Sequence, residues 1–391
     1  MKVLLLGGTG LFGKSAAAIL AREKLITKIG LASRSIEAAQ RVAVEINDKA
    51  HAVCVDIKDL PRLSSIAAGY DIIVNAAGPT SEVQVPALQA AIEAGVHYCD
   101  LGAIGRYAES ALQLDSQART KGITAVIATG WIAVVNLMAV HAAHQLDEAE
   151  QLSVCMLFDY SPGDYFSPEE SLARAREKGR VETSWDLIET AGGPVLAYRA
   201  GDWMRLEPLE YPVEVIHPTG SKITAYPMDS PSISTLPHSL PGVQTVTNLL
   251  GMIPPQLMEL FIQKSQRVAR GETDWRGAAL DFFETAVADK ERWLTSPADY
   301  PSGWWMWAIA SGYKDGRKAR YICWPAMFLD WTSVSLVIVA LRILRGEVSR
   351  HGVLPPEACF ELKSFLQEAA GYVREEQRGK PLLSERFEWL D

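Results

Sequence analysis

The sequence predicts an α/β fold whose first domain is a doubly wound parallel sheet. Three observations carry this reading. Short apolar runs alternate with helical patterns through the first 130 residues, a glycine-rich loop joins the first run to the first helical pattern, and small or polar residues collect at the ends of the runs. At 391 residues the chain is long enough for two domains or three.

The elements follow in order. Residues 2–7 are an apolar run closing on glycine, as a strand buried on both faces does. Residues 11–24 place Ala16, Ala17, Ile19 and Leu20 at helical spacing. Residues 29–33 read as a second strand and 35–46, rich in helix formers, as a second helix. Further strands are expected at 50–55, 71–75, 96–101 and 123–128, with helices at 83–94 and 108–121. Such repeats imply right-handed crossovers with helices on both faces, and ligands then bind beyond the carboxyl ends of the strands.

Composition narrows the function. Apolar residues make up 48% and charged residues 22%, as in ordinary globular proteins, which excludes long disorder and a disulfide scaffold. A net charge of −9 argues against a non-specific nucleic-acid binder, which needs a basic face. Residues 1–130 hold 13 Lys and Arg against 12 Asp and Glu, so the acidity lies in the remainder. The opening apolar run is too short for a signal peptide, and no later run approaches the roughly 20 residues that span a bilayer. Five scattered cysteines without a Cys-x-x-Cys read as reduced thiols, and a cytoplasmic location is expected. His141 and His144 lie three apart with no third ligand nearby, so no metal site is expected.

The motifs sit at strand ends. Gly7-Gly8-Thr9-Gly10-Leu11-Phe12-Gly13 has the spacing that brings backbone close to a pyrophosphate and aims free N–H groups of a helix start at it. Together with its strand–loop–helix setting, this predicts a Rossmann-type dinucleotide site using Gly7, Thr9, Gly10, Leu11, Phe12 and Gly13. The second strand ends in Ser33-Arg34-Ser35, with no acid before Glu37. A bidentate Arg34 flanked by two serine hydroxyls suits a ribose 2′-phosphate and predicts NADP(H); the plain alternative is a solvated surface charge. Asp56 and Ile57 follow the third strand, where a carboxylate can accept from the adenine amino group. Asn75, Ala76, Ala77, Gly78 and Pro79 follow the fourth, leaving room for the nicotinamide ribose; Asn75 also reads as a strand-end cap. No tyrosine has a lysine four residues on, unlike the short-chain dehydrogenases.

Residues 71–79, Asp-Ile-Ile-Val-Asn-Ala-Ala-Gly-Pro, and 86–100, ending Ala-Gly-Val-His-Tyr-Cys-Asp, resemble the saccharopine dehydrogenase-like family of NADP-binding oxidoreductases. Gly312-Tyr-Lys-Asp-Gly316, Asp330, Thr332 and Gly352-Val-Leu-Pro-Pro-Glu357 resemble its closing segment. The resemblance implies a split architecture: a dinucleotide domain over 1–130, a mixed α+β substrate and dimerisation domain over 131–310, and a segment over 311–391 that packs back on the first domain. It also implies a homodimer. Within the middle region 153–160, 213–216 and 222–226 read as strands, and 257–270 and 280–293 as helices; prolines between 190 and 255 suit an antiparallel sheet.

The resemblance further implies hydride transfer between NADP(H) and a carbon–nitrogen bond, in imine reduction, reductive amination or amine oxidation. His97, Tyr98 and Asp100, at the end of the fifth strand, are the candidates for moving a proton, and Asp100 also reads as a helix or loop cap. Asn136 is the candidate for polarising the substrate. Trp131 stands at the expected substrate mouth, and seven of 11 tryptophans lie between 275 and 331, densest around Trp304 and Trp305. Core packing accounts for part of that load. The rest is read as a wall for a bulky or apolar small-molecule substrate. Reduction of a C=C or C=O bond, and a non-catalytic NADP-binding sensor or scaffold, are the alternatives.

Overall fold

The computed structural model describes residues 1–207, 211–327 and 329–390. The chain divides into two compact units: Met1–Leu137 with Met327–Leu382, and Met138–Ala326 with Leu383–Asp391.

The first unit begins with β1 (Lys2–Leu6), α1 (Leu11–Arg22), β2 (Lys28–Ser33), α2 (Ile36–Ile46), β3 (Ala50–Cys54), α3 (Leu60–Ala67), β4 (Ile72–Asn75), α4 (Thr80–Ala94), β5 (His97–Asp100), α5 (Gly105–Leu112), α6 (Asp115–Thr120) and β6 (Thr124–Val126). α7 (Trp131–Ala143) carries the chain out of it. The second unit holds β7 (Glu148–Asp159), α8 (Pro168–Lys178), β8 (Val195–Arg199), β9 (Asp202–Leu206), β10 (Val213–Ile216), β11 (Lys222–Pro227), α9 (Pro231–Ser239), β12 (Thr245–Ile253), α10 (Leu257–Ala269), α11 (Trp275–Ala288), α12 (Lys290–Trp293), β13 (Trp305–Lys314) and β14 (Arg317–Pro325). α13 (Trp331–Leu344), β15 (Gly352–Leu354) and α14 (Leu362–Ala369) return to the first unit, and β16 (Leu383–Trp389) to the second.

The first unit is a seven-stranded parallel sheet in the order β15-β6-β5-β4-β1-β2-β3. Val3–Leu6 and Ile72–Val74 are fully buried, as strands covered on both faces require. Strand order reverses between β1 and β4, the switch point where such sheets take their ligands. Capping explains several helix starts: Ser35 accepts from the Ala38 N–H at α2 and Asp59 from the Arg62 N–H at α3.

The second unit is a nine-stranded mixed sheet, with β7, β13 and β14 central and β16 closing one edge. Within 190–255 the strands pair antiparallel as expected (β8 with β9 and β12, β10 with β11, β11 with β12), and β12 also runs parallel to β7 across nine residue pairs, which makes the sheet mixed. β13 and β14 form a two-residue hairpin at Asp315-Gly316, both with positive φ (51° and 73°), the geometry that Asp-Gly turns favour.

Three expectations are corrected. The helix expected over 108–121 is two helices, because the chain bends at Leu114 to bury that side chain and lets the Asp115 carboxylate accept from the Val353 N–H (2.9 Å) in β15. A helix over 60–67, too short for a clear periodicity, was not expected. The boundary placed at 310 lies at 326, because β13 and β14 are locked in register into the second sheet, and β16 pairs with β14 there; the boundary placed at 130 lies at 137, inside α7.

Candidate functional site

The loop after β1 turns back on itself through a Gly10 N–H to Gly7 carbonyl bond (2.9 Å), and Lys14 N–H then reaches Gly10 to start α1. Gly7 has φ +72°, and a Cβ there would lie 2.6 Å from the Ala77 nitrogen. At Gly13 a side chain would collide with the Gly7 carbonyl oxygen. The glycines are therefore fixed by two close approaches, loop against the β4–α4 connection and helix against loop. α1 has no acidic residue in its first turn, and Gly10 offers its N-terminus no side-chain cap. Its first N–H groups keep their positive end for an anion.

At the end of β2, Ser33 accepts from the Ser35 N–H (3.2 Å). Ser35 caps α2, and its hydroxyl donates to Glu37 (2.9 Å). Arg34 is exposed and, among the described residues, forms no ion pair; its carbonyl accepts from the Cys54 thiol (3.8 Å). Asp56 is exposed, two residues past β3, and accepts from the Lys58 N–H (3.0 Å), while Ile57 packs on the core. Asn75, the last residue of β4, is buried: its Oδ1 accepts from the Ala77 N–H (3.0 Å) and its amide donates to the Tyr98 hydroxyl (3.1 Å). It thus fixes Ala76 and Ala77, the surface against which Gly7 lies. Gly78 and Pro79 continue to α4 through a cis peptide bond.

The β5 candidates separate. Asp100 is buried, with Oδ1 accepting from the Gly102 and Ala128 N–H groups (2.9 Å each) and Oδ2 from the Gln84 amide (3.0 Å). Its carbonyl accepts from both the N–H and the hydroxyl of Thr129 (2.7 Å each). Burial pushes its carboxyl above the usual range, against the pull of the Ala128, Gln84 and Gly102 donors. Ala128, held by Asp100, has a left-handed φ of 57° two residues past β6. Tyr98 is fully buried, its hydroxyl donating to the Gln84 carbonyl (3.3 Å), and burial raises it far above an ordinary phenol. His97 is the first residue of β5, not at its carboxyl end; its Nδ1 accepts from the Thr124 N–H (3.1 Å), and burial lowers its basicity. At about 3.3 Å per residue it stands some 10 Å along the strand from Asp100.

Asn136, on α7, is buried and donates to the Glu357 carboxylate (3.1 Å), just past β15. Trp131 opens α7 and is half-buried. The other two tryptophans belong to the second unit. Trp304 lies among Phe158, Phe166 and Tyr160 (centroids 4.9, 5.5 and 5.6 Å) and donates to Asp164 (3.1 Å). Trp305 faces the other side of the strand, against His217 (4.5 Å), and donates to the Ser302 carbonyl (2.7 Å). Sequence reasoning missed Gln84 and Glu357 as site residues. Gln84 carried a usable signal, as a polar residue inside the apolar pattern of α4. Among the described residues no three His, Cys, Asp or Glu side chains group as metal ligands, and all five cysteines are free. Among the described residues no helix is long and apolar enough to cross a membrane.

The residues present fit a dinucleotide: a cradle with no room for Cβ atoms at Gly7 and Gly13, an uncapped helix start, and an exposed arginine at the end of β2. Comparison with known proteins agrees. Trans-acting enoyl reductases of Mycobacterium bovis and Mycobacterium tuberculosis are 25% identical over 147 residues, 37% of this chain and 35% of theirs. A second Mycobacterium tuberculosis protein, provisionally given the same name, is 30% identical over 146 residues. The match therefore spans about a third of these relatives' length. The saccharopine dehydrogenase (L-Glu forming) of Saccharomyces cerevisiae shares the fold over 99% of both chains, with a TM-score of 0.65 at 13% identity. The family described as saccharopine dehydrogenase NADP binding domain matches residues 3–126.

Proposed function

We propose that this chain is an NADP(H)-dependent oxidoreductase that transfers hydride to or from the carbon–nitrogen bond of a bulky or apolar small molecule. The observation that carries it is the loop from Gly7 to Gly13, packed on Ala76-Ala77 and opening an uncapped α1, in a stretch that the NADP-binding family matches. In this reading the first N–H groups of α1 hold the pyrophosphate, with Thr9, Gly10, Leu11 and Phe12 around it. Arg34 holds the 2′-phosphate beside Ser33 and Ser35, Asp56 and Ile57 flank the adenine, and Ala76 to Pro79 border the nicotinamide ribose. NADPH supplies the hydride when bound.

Asp100 and Tyr98 act here as positioning residues. Every carboxylate oxygen of Asp100 already accepts from the protein, and the Tyr98 hydroxyl is engaged on both sides. An iminium carbon is electrophilic without a protein acid, so holding and drying the substrate suffices for its reduction. Asn136, with Glu357, is the remaining polar pair proposed to face the substrate, and Trp131 its apolar border.

A second reading, reduction of a conjugated C=C bond, is favoured by the relatives named as trans-acting enoyl reductases. The test is NADPH oxidation with three panels: apolar carbonyls plus amines, the same carbonyls alone, and enoyl thioesters. Amine-dependent turnover is expected. Turnover of the thioesters alone selects the second reading, and binding of NADPH without turnover on any panel would overturn both in favour of a sensor.

A further inference from the structure

The residues after β2 hold an anion as well as a cation. Glu37 stands in the first turn of α2, two residues past Ser35 and three past Arg34. The Ser35 hydroxyl has one proton, and it goes to the Glu37 carboxylate (2.9 Å), while the hydroxyl oxygen accepts from the Ala38 N–H (3.2 Å). Both of its roles are filled, so Ser35 can donate to a 2′-phosphate only by leaving Glu37. Glu37 is fully exposed and ionised: its own backbone N–H and then the Ser35 hydroxyl lower its carboxyl below the usual range, and the charge of Arg41 adds to this. A phosphate of charge near −2 meets repulsion from that carboxylate, whereas a ribose 2′-hydroxyl can donate to it.

We propose that Glu37 is a cofactor-specificity residue that restrains the preference for NADP(H) set by Arg34 and keeps NAD(H) usable as a second cofactor at the same site. The proposal rests on the NADP(H) reading above. Glu37→Gln isolates the charge, because the amide oxygen still accepts from Ser35 and α2 keeps its cap.

The test is a fluorescence titration of the full chain with NADPH and with NADH, using tryptophan quenching, for the native protein, Glu37→Gln and Arg34→Ala at low and high salt. Glu37→Gln is expected to tighten NADPH roughly three- to tenfold and to weaken NADH, with the gain shrinking at high salt, as for an exposed charge several ångströms from its target. Arg34→Ala is expected to weaken NADPH more than tenfold and to leave NADH within about twofold. An unchanged NADPH/NADH ratio in Glu37→Gln, with Arg34→Ala behaving as expected, overturns the role of Glu37 alone. If Arg34→Ala also leaves NADPH binding unchanged, the 2′-phosphate reading itself fails. Equal thermal midpoints for Glu37→Gln and the native protein guard against a folding artefact.

Discussion

The two units fix their strand ends by different means. In the first, buried polar side chains do it: Asn75 holds Ala77, Asp100 holds Gly102 and Ala128, and Gln84 ties Asp100 to α4. In the second, aromatic rings do it, with Trp304 set among Phe158, Tyr160 and Phe166, and Trp185 between Tyr160 and Phe283. The difference teaches how to read reactive residue types at a strand end. Where a carboxylate's capacity is filled by backbone N–H groups, its chemistry is already spent on shape. The groups left for a ligand are the humbler ones, backbone N–H at α1 and the exposed Arg34.

The comparison breaks most sharply at Asp100. Asp100→Ala strands two buried N–H groups and the Gln84 amide, and a loss of roughly 3–5 kcal/mol is expected by urea denaturation. Asp100→Asn should lose less than about 1.5 kcal/mol, because the Gln84 side-chain oxygen Oε1, buried without a partner, can turn to accept from the new amide. Equal losses in the two variants would remove the clamp, and a stable Asp100→Ala protein would restore Asp100 as a candidate proton carrier.

Next comes the aromatic side. Trp304→Ala should cost roughly 2–4 kcal/mol through lost ring packing, and Trp305→Ala about 1 kcal/mol, since Trp304 packs on the rings of Phe158, Tyr160 and Phe166 whereas Trp305 meets His217. A melting transition of the second unit that ignores Trp304→Ala would show that these rings serve something other than its packing.

His217 gives a pH signature in the second unit. It is buried, accepts at Nδ1 from the Thr219 N–H (3.2 Å), and burial lowers it to about 4. An unfolded histidine titrates near 6.5, so between about 6.5 and 4 the unfolded chain binds a proton that the folded chain does not. Stability contributed by neutral His217 is complete above that window and is lost as pH falls through it. Thermal midpoints should drop with pH there, and His217→Gln should flatten the drop; parallel profiles would contradict the assignment. The smallest effect is at the hairpin: Gly316→Ala, with φ at 73°, should cost about 1 kcal/mol in chemical denaturation.

Much of the first unit was legible because its signals are local. A run such as Val3–Leu6 can only be a strand buried on both faces, and glycine spacing reports a backbone need directly. The roles of Tyr98 and Asp100 were not legible, since their partners Gln84 and Ala128 lie 14 to 28 residues away and only the fold brings them together. His97 was misplaced because a strand's length decides which of its residues reaches the carboxyl edge. In the second unit β7 and β12 pair in parallel through a long connection that no periodicity records. The Asp315-Gly316 turn is a local signal, an Asp-Gly pair between two strands, that also falls inside the stretch resembling the family's closing segment.

The central claim is that the carboxyl edge of the first sheet, from Gly7 to Gly13 and across to Arg34 and Ala76, holds NADP(H). Amide hydrogen exchange on the full chain, with and without saturating NADPH, tests it most directly. Slowed exchange at residues 8–14, 33–38 and 75–79, with the strands of the second unit's sheet unchanged, is the predicted result. Protection that leaves residues 8–14 untouched would contradict the claim.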